Sequence, residues 1–228
     1  MKAVLLSIRP KWCKKIANLR KTVEIRKTAP NLEVPFKCYI YCTKAPKKLI
    51  TIFRDGEESY DGEIYHGKPK FITWDGIGVP DDIDSAMQMI IGEFVCDKID
   101  KLVHVGVCNN DVLQLSIETP DGLWKPAESL LQAACLTEAT AEKYLQGRNG
   151  YGWHISDLKI YDRPRKLIDF LPNCRFGEDG ECEYRRVYCE HQNYDYNPDG
   201  SVNVVRCDKR IQKAPQSWCY VEDAECTS

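Results

Sequence analysis

At 228 residues the chain has room for one sizeable core, or for a core domain with a small satellite. A composition 43% hydrophobic and 29% charged is that of a globular protein and excludes wholesale disorder. The net charge of −2 conceals an asymmetry: residues 1–50 hold 13 Lys or Arg against Glu24 and Glu33, which leaves the remainder strongly acidic. A basic end of this kind suits an anionic partner, with nucleic acid the commonest; a merely solubilising lysine surface is the competing reading.

The first strand is expected over residues 3–9, where Val4, Leu6 and Ile8 alternate. Lys2 and Arg9 enclose too short an apolar stretch for a signal-peptide core. No apolar run approaches the roughly 18 residues of a membrane helix. These features predict a cytoplasmic protein with no membrane partner and with reduced thiols. Pro10 then opens a helix over 11–20, with Trp12, Ile16 and Leu19 on its packed face and Lys11, Lys14, Lys15 and Asn18 toward solvent. Residues 21–28 switch to period two, with Val23 and Ile25 on one face and Thr22, Glu24, Arg26 and Thr28 on the other.

A strand over Phe36–Thr43 follows, and then an irregular insertion over about 45–88, with a hairpin expected between Glu63 and Trp74. Met89–Ile99 reads as a strand, 124–147 as helical with Gly147 as its stop, and Tyr151–Tyr161 as a last strand interrupted near Ser156 and Asp157. Beyond the boundary marked by Pro164 and Pro172, the chain is poor in aliphatics and rich in Cys. This order is too rich in strands for a doubly wound sheet. A mixed α+β domain over 1–170 is expected, a small curved sheet or partly open barrel with flanking helices, followed by a Cys-rich C-terminal segment over 171–228.

The block Leu6-Ser7-Ile8-Arg9-Pro10-Lys11-Trp12, with Ile16 and Arg20-Lys21-Thr22-Val23-Glu24-Ile25-Arg26, resembles the signature of ASCH domains, a branch of the PUA-like barrels. Ile91-Gly92-Glu93-Phe94 and Tyr151-Gly152-Trp153-His154-Ile155 resemble later parts of that pattern. The whole chain, with its ending Pro215-Gln216-Ser217-Trp218-Cys219-Tyr220-Val221, looks like an ASCH protein of phage or prophage type. The resemblance implies a PUA-like small β-barrel whose cleft receives RNA, a nucleotide or a modified base. In some members it further implies a metal-independent amidohydrolase acting on acetylated cytidine, and in another a ribonuclease. Lys21 matches the catalytic lysine of that family, whereas Glu24 stands where its catalytic threonine does. Glu138 is the candidate partner acid.

On the residues alone, Glu24 and Arg26 share a strand face, and Lys21 at the helix exit can reach the same cleft. Such a cluster binds a ligand, supplies a base or nucleophile, or simply closes a strand edge. Arg9, Lys14, Lys15 and Arg20 are candidate phosphate contacts; Trp12, Trp153 and His154 are candidates for stacking or contacting a base, with Tyr39 and Tyr41 as further aromatics.

The first six cysteines read as small core residues. In the tail, Cys174, Cys182, Cys189 and Cys207 are expected to hold a structural Zn²⁺, with reduced free thiols as the competing reading. No organic cofactor is expected, and a host protein joins RNA or a nucleotide among the expected partners.

Overall fold

The computed structural model describes residues 2–44, 51–53, 69–72, 84–106, 113–170, 194–196, 198–200, 202–204, 211 and 213–222. The first strand, β1 (Lys2–Ile8), is followed directly by helix α1 (Pro10–Ala17), with Pro10 at the first helical position. Then come β2 (Val23–Arg26), β3 (Phe36–Cys42), and the short strands β4 (Thr51–Phe53), β5 (Pro69–Ile72) and β6 (Asp84–Ser85). The central part holds β7 (Met89–Cys96), β8 (Ile99–Gly106), β9 (Leu113–Glu118), β10 (Trp124–Pro126), α2 (Glu128–Ala133) and α3 (Glu138–Leu145). The chain continues through β11 (Gly150–His154), β12 (Ser156–Arg165), β13 (Tyr194–Tyr196), β14 (Val202–Val204) and β15 (Trp218–Glu222).

Two five-stranded sheets dominate this α+β architecture. Sheet one has the order β12-β7-β3-β1-β15, antiparallel except for the parallel pair β1 and β3. Sheet two is antiparallel throughout, in the order β10-β9-β8-β11-β2. The smaller pairings are β4-β5-β6 and β13-β14. Of the expected hairpin between Glu63 and Trp74, the described part is β5, which pairs with β4 and β6; the rest lies outside the described residues.

The sequence of β1 explains its central place. Val4, Leu6 and Ile8 enter the core between the sheets, while Ala3 and Leu5 enter a second core with Tyr39, Tyr41, Phe170 and Val221. A strand apolar on both faces needs cover on both, which is why it lies second from the edge and pairs on each side. Tyr39 and Tyr41 are thereby core residues, not stacking surfaces.

Chain continuity joins the sheets along one side, β7 running into β8 and β11 into β12. Among the described residues the other side is not closed by a backbone ladder. Side chains cross that seam instead: Arg26 Nη2 donates to Ser7 O at 2.8 Å, and Trp218 Nε1 to Thr28 Oγ1 at 3.0 Å. The expected barrel is therefore two sheets with an open seam, and the Lys21 block lines it. The segment expected as an appendage also contributes here, because β15 hydrogen-bonds along β1 from Leu6–Trp218 to Lys2–Glu222.

Three sequence expectations need correction. The helix expected over 124–147 is β10, α2 and α3, because Thr137 starts a new helix by accepting Thr140 N on its hydroxyl after a left-handed turn at Cys135. The strand expected over Met89–Ile99 breaks at Asp97-Lys98, where the chain passes between sheets. In α1 the buried face is Pro10, Cys13, Lys14, Ile16 and Ala17; of the three residues expected there, Ile16 is buried and Trp12 packs partly buried against the core, but Leu19 does not. Leu19 sits at φ 57° in the turn that ends α1 and is 69% exposed.

Candidate functional site

The route from α1 into β2 builds the site. Leu19 N donates to Ile16 O and Arg20 N to Lys15 O, a tight left-handed cap that turns the chain and sends Lys21 inward. Alternation along β2 then does the sorting. Val23 and Ile25 meet Leu130 and the other apolar residues of α2 and α3 on the outer face of sheet two. Glu24 and Arg26 face the space between the sheets, beside their cross-strand partners Trp153 and Tyr151. Gly152 allows the outer packing to be close, since a Cβ there would fall 2.9 Å from the Leu130 side chain.

Lys21, Glu24 and Arg26 form one buried chain of charge, with no more than 6% of any of them exposed. Lys21 Nζ lies 3.2 Å from Glu24 Oε2 and donates to Ala134 O at 2.8 Å. Arg26 Nη2 lies 3.1 Å from Glu24 Oε1. Three polar atoms on this face have no hydrogen-bond partner among the described residues: Glu24 Oε2, which meets the Lys21 ammonium outside hydrogen-bond geometry, Arg26 Nε and Trp153 Nε1. One acceptor, held in an ion pair by Lys21, and two donors without a hydrogen-bond partner thus lie on the inner side of β2 and β11. Buried polar groups are costly unless paired, so such a set marks a place that a polar partner can complete.

Trp12 connects this cluster to the surface. It is half-buried, with Lys21 Nζ 5.0 Å, Lys11 Nζ 4.4 Å and Lys15 Nζ 5.8 Å from its ring centroid. Cations held over an aromatic ring are attracted by its quadrupole and keep the ring in an electropositive setting. Cys13, on the buried side of α1, has its thiol pushed well up by burial, then by Cys42 and Glu24, and stays neutral.

The other expected contacts divide sharply. Arg9 and Arg20 are exposed and Lys15 is half-exposed, as a surface for phosphates requires. Lys14 is buried at 4% exposure, so its place on a solvent face is corrected: it lies on the packed side of α1. Trp153 is fully buried, edge-on to Phe36 at 5.8 Å and tilted against Trp218 at 5.9 Å; it is a core ring whose indole N–H faces inward. Successive strand residues point to opposite faces, so His154 is not in the same site. It lies on the outer face, with Nε2 2.7 Å from Asp100 Oδ2. Glu138 Oε1 accepts from Leu115 N at 3.1 Å and ties α3 to β9.

Sequence reasoning missed Ser7 and Ser217, whose carbonyls receive the Arg26 guanidinium at 2.8 and 3.4 Å. Both stand inside the motifs quoted above, but backbone acceptors leave no residue-type signal. It missed Asp100 as well, because its partner His154 is distant in sequence, and with it Lys98, whose ammonium pairs with Asp100. Cys174, Cys182, Cys189 and Cys207 lie outside the described residues. Among the described residues no group of three or more His, Cys, Asp or Glu is arranged to hold a metal, and no helix is long and apolar enough to cross a membrane.

No family model matches the chain, and no curated protein matches it. Among solved structures it is similar to the ASCH protein of Zymomonas mobilis, at 15% identity over 72% of this chain and 73% of that one, with a TM-score of 0.39. It is similar to two point mutants of that protein, also at 15% identity, with TM-scores of 0.39 and 0.38 over 73% and 72% of this chain and 77% and 74% of theirs.

Proposed function

We propose that the seam lined by Lys21, Glu24 and Arg26 recognises an unpaired base of RNA, or a modified nucleoside, by its hydrogen-bonding edge. The observation that carries this reading is the buried carboxylate held between two cations, with the donors Arg26 Nε and Trp153 Nε1 lacking a hydrogen-bond partner on the same face. A carboxylate accepts from an exocyclic amine, and a guanidinium or indole N–H donates to a ring nitrogen or carbonyl, which is how base edges are read. Trp12 supplies a ring on which a neighbouring base can stack, and the lysines around it, with Arg9 and Arg20, supply phosphate contacts. The ASCH-like block identified in the sequence spans the same residues.

The amidohydrolase alternative is less favoured by this geometry. Lys21 Nζ is engaged by Ala134 O and by Glu24, and a catalytic amine must have a free lone pair to take a proton or attack an acyl carbon. Glu138, its candidate acid, is committed to Leu115 N.

The test is calorimetric titration with single-stranded RNA and with acetylated cytidine. Both Glu24→Gln and Trp12→Ala are expected to weaken RNA binding at least ~10-fold, about the worth of one good base contact or stack. Unchanged affinity in both variants, with the fold intact by circular dichroism, would falsify the reading. Acetate release from acetylated cytidine that disappears in Lys21→Ala would establish the enzyme instead.

A further inference from the structure

On the outer face of β2 and β11, opposite the charge cluster, the fold leaves a cavity of about 350 Å³. This is the lower end of the size range of small-molecule sites. Its inner wall is apolar, made by Val23, Ile117 and Leu130. Its rim carries Lys98, Lys125 and His154, with Asp100 beneath them.

The charges are ordered. Asp100 is 9% exposed, and its carboxylate is shared by Lys98 Nζ at 2.8 Å and His154 Nε2 at 2.7 Å. Burial alone would raise its pKa, but those two partners outweigh burial and hold it below the usual value, so it is ionised and neutralised within the wall. With Nε2 committed to Asp100, the imidazole is fixed in orientation. Lys125 takes part in no ion pair among the described residues, so the rim keeps an unbalanced positive charge. An apolar floor under a net cationic rim suits a flat body bearing one anionic group.

We propose that this cavity binds a nucleoside monophosphate, with the base on the Val23–Leu130 floor and the phosphate between Lys125, Lys98 and His154. The site is separate from the RNA seam: neighbouring residues of the same two strands, Trp153 and His154, face opposite ways, and so do Glu24 and Val23. The proposal does not rest on the RNA reading.

AMP and CMP are the probes, titrated into the full chain by calorimetry while the imidazole nitrogens of His154 are followed by NMR. Binding is expected to shift the His154 signals and to weaken at least 10-fold in Lys125→Glu. Ser129→Phe, at an exposed position on the rim, should plug the cavity without disturbing the core and abolish binding. Adenosine and inorganic phosphate, each with half of the recognised chemistry, should bind at least 10-fold more weakly than AMP. Several results would overturn the proposal: no AMP binding at millimolar concentration, binding that survives Ser129→Phe, or inorganic phosphate as tight as AMP. Loss of AMP binding in folded Trp12→Ala with no shift at His154 would assign the nucleotide to the RNA seam and overturn it too.

Discussion

Glu24 lies 3.1 Å from a guanidinium and 3.2 Å from an ammonium with almost no contact with water, so each of the three charges is costly without the others. Replacing the carboxylate leaves Lys21 and Arg26 buried with an excess positive charge. Glu24→Ala is expected to cost about 3–5 kcal/mol, the range for breaking a buried pair from one side. Lys21→Met with Glu24→Gln should cost less than the sum of the single changes, because the pair is removed together. Urea unfolding of the four proteins checks this; additive losses would show that the charges act separately. Alternation in residues 21–28 makes the shared face of Glu24 and Arg26 legible. That this face points inward is not, because polar residues on one side of a strand ordinarily mark solvent. The decisive partners, Ala134 O and Ser7 O, are backbone atoms.

At the scale of elements, short-period signals gave β1, α1, β2, β3 and β11 nearly in place, since Pro10 and period-two alternation are local physics. The region from Ile99 to Glu118 had no such signal: in β8, Asp100, Leu102 and His104 turn toward the helices while Ile99, Lys101 and Val103 face away, so polar and apolar types mix on both faces. The thiols of sheet one carry a measurable consequence. Burial pushes Cys38 in β3 well up, and Cys96 in β7 up to about 12, mainly through burial again. A thiol whose folded pKa is raised stabilises the fold fully below its unfolded value of about 8.5, and that contribution is lost as pH rises toward the folded value. The urea midpoint should therefore fall steadily above pH ~8.5, and less steeply in Cys96→Ala. A midpoint flat to pH 10 would mean that these thiols are solvated. Their slow alkylation relative to Cys135, which is partly exposed, is the companion observation.

At the scale of the whole molecule, the charge asymmetry between residues 1–50 and the rest is legible from the sequence alone, but what it does depends on which side chains keep their charge in water. The structure withdraws Lys14, Lys21 and Arg26 into the interior and leaves Arg9, Lys11, Lys15 and Arg20 at the surface, with Lys11 and Lys15 beside Trp12. Only the second group can exchange counterions with a polyanion. Each phosphate neutralised on a single strand adds about 0.7 to the negative slope of log affinity against log salt. If Lys11 and Lys15 each hold one phosphate, reversing both to Glu should reduce that slope by about 1.4 and weaken binding most at low salt. Reversal of Lys14 should act differently: it places an acid on the packed face of α1 and lowers the unfolding midpoint, leaving the slope of whatever protein remains folded unchanged. Fluorescence anisotropy of a labelled single strand between 50 and ~300 mM salt separates the two effects. A slope indifferent to the Lys11 and Lys15 reversals would reduce the basic end to a device for solubility. A slope altered by Lys14→Glu in folded protein would place that lysine at the RNA and contradict its burial.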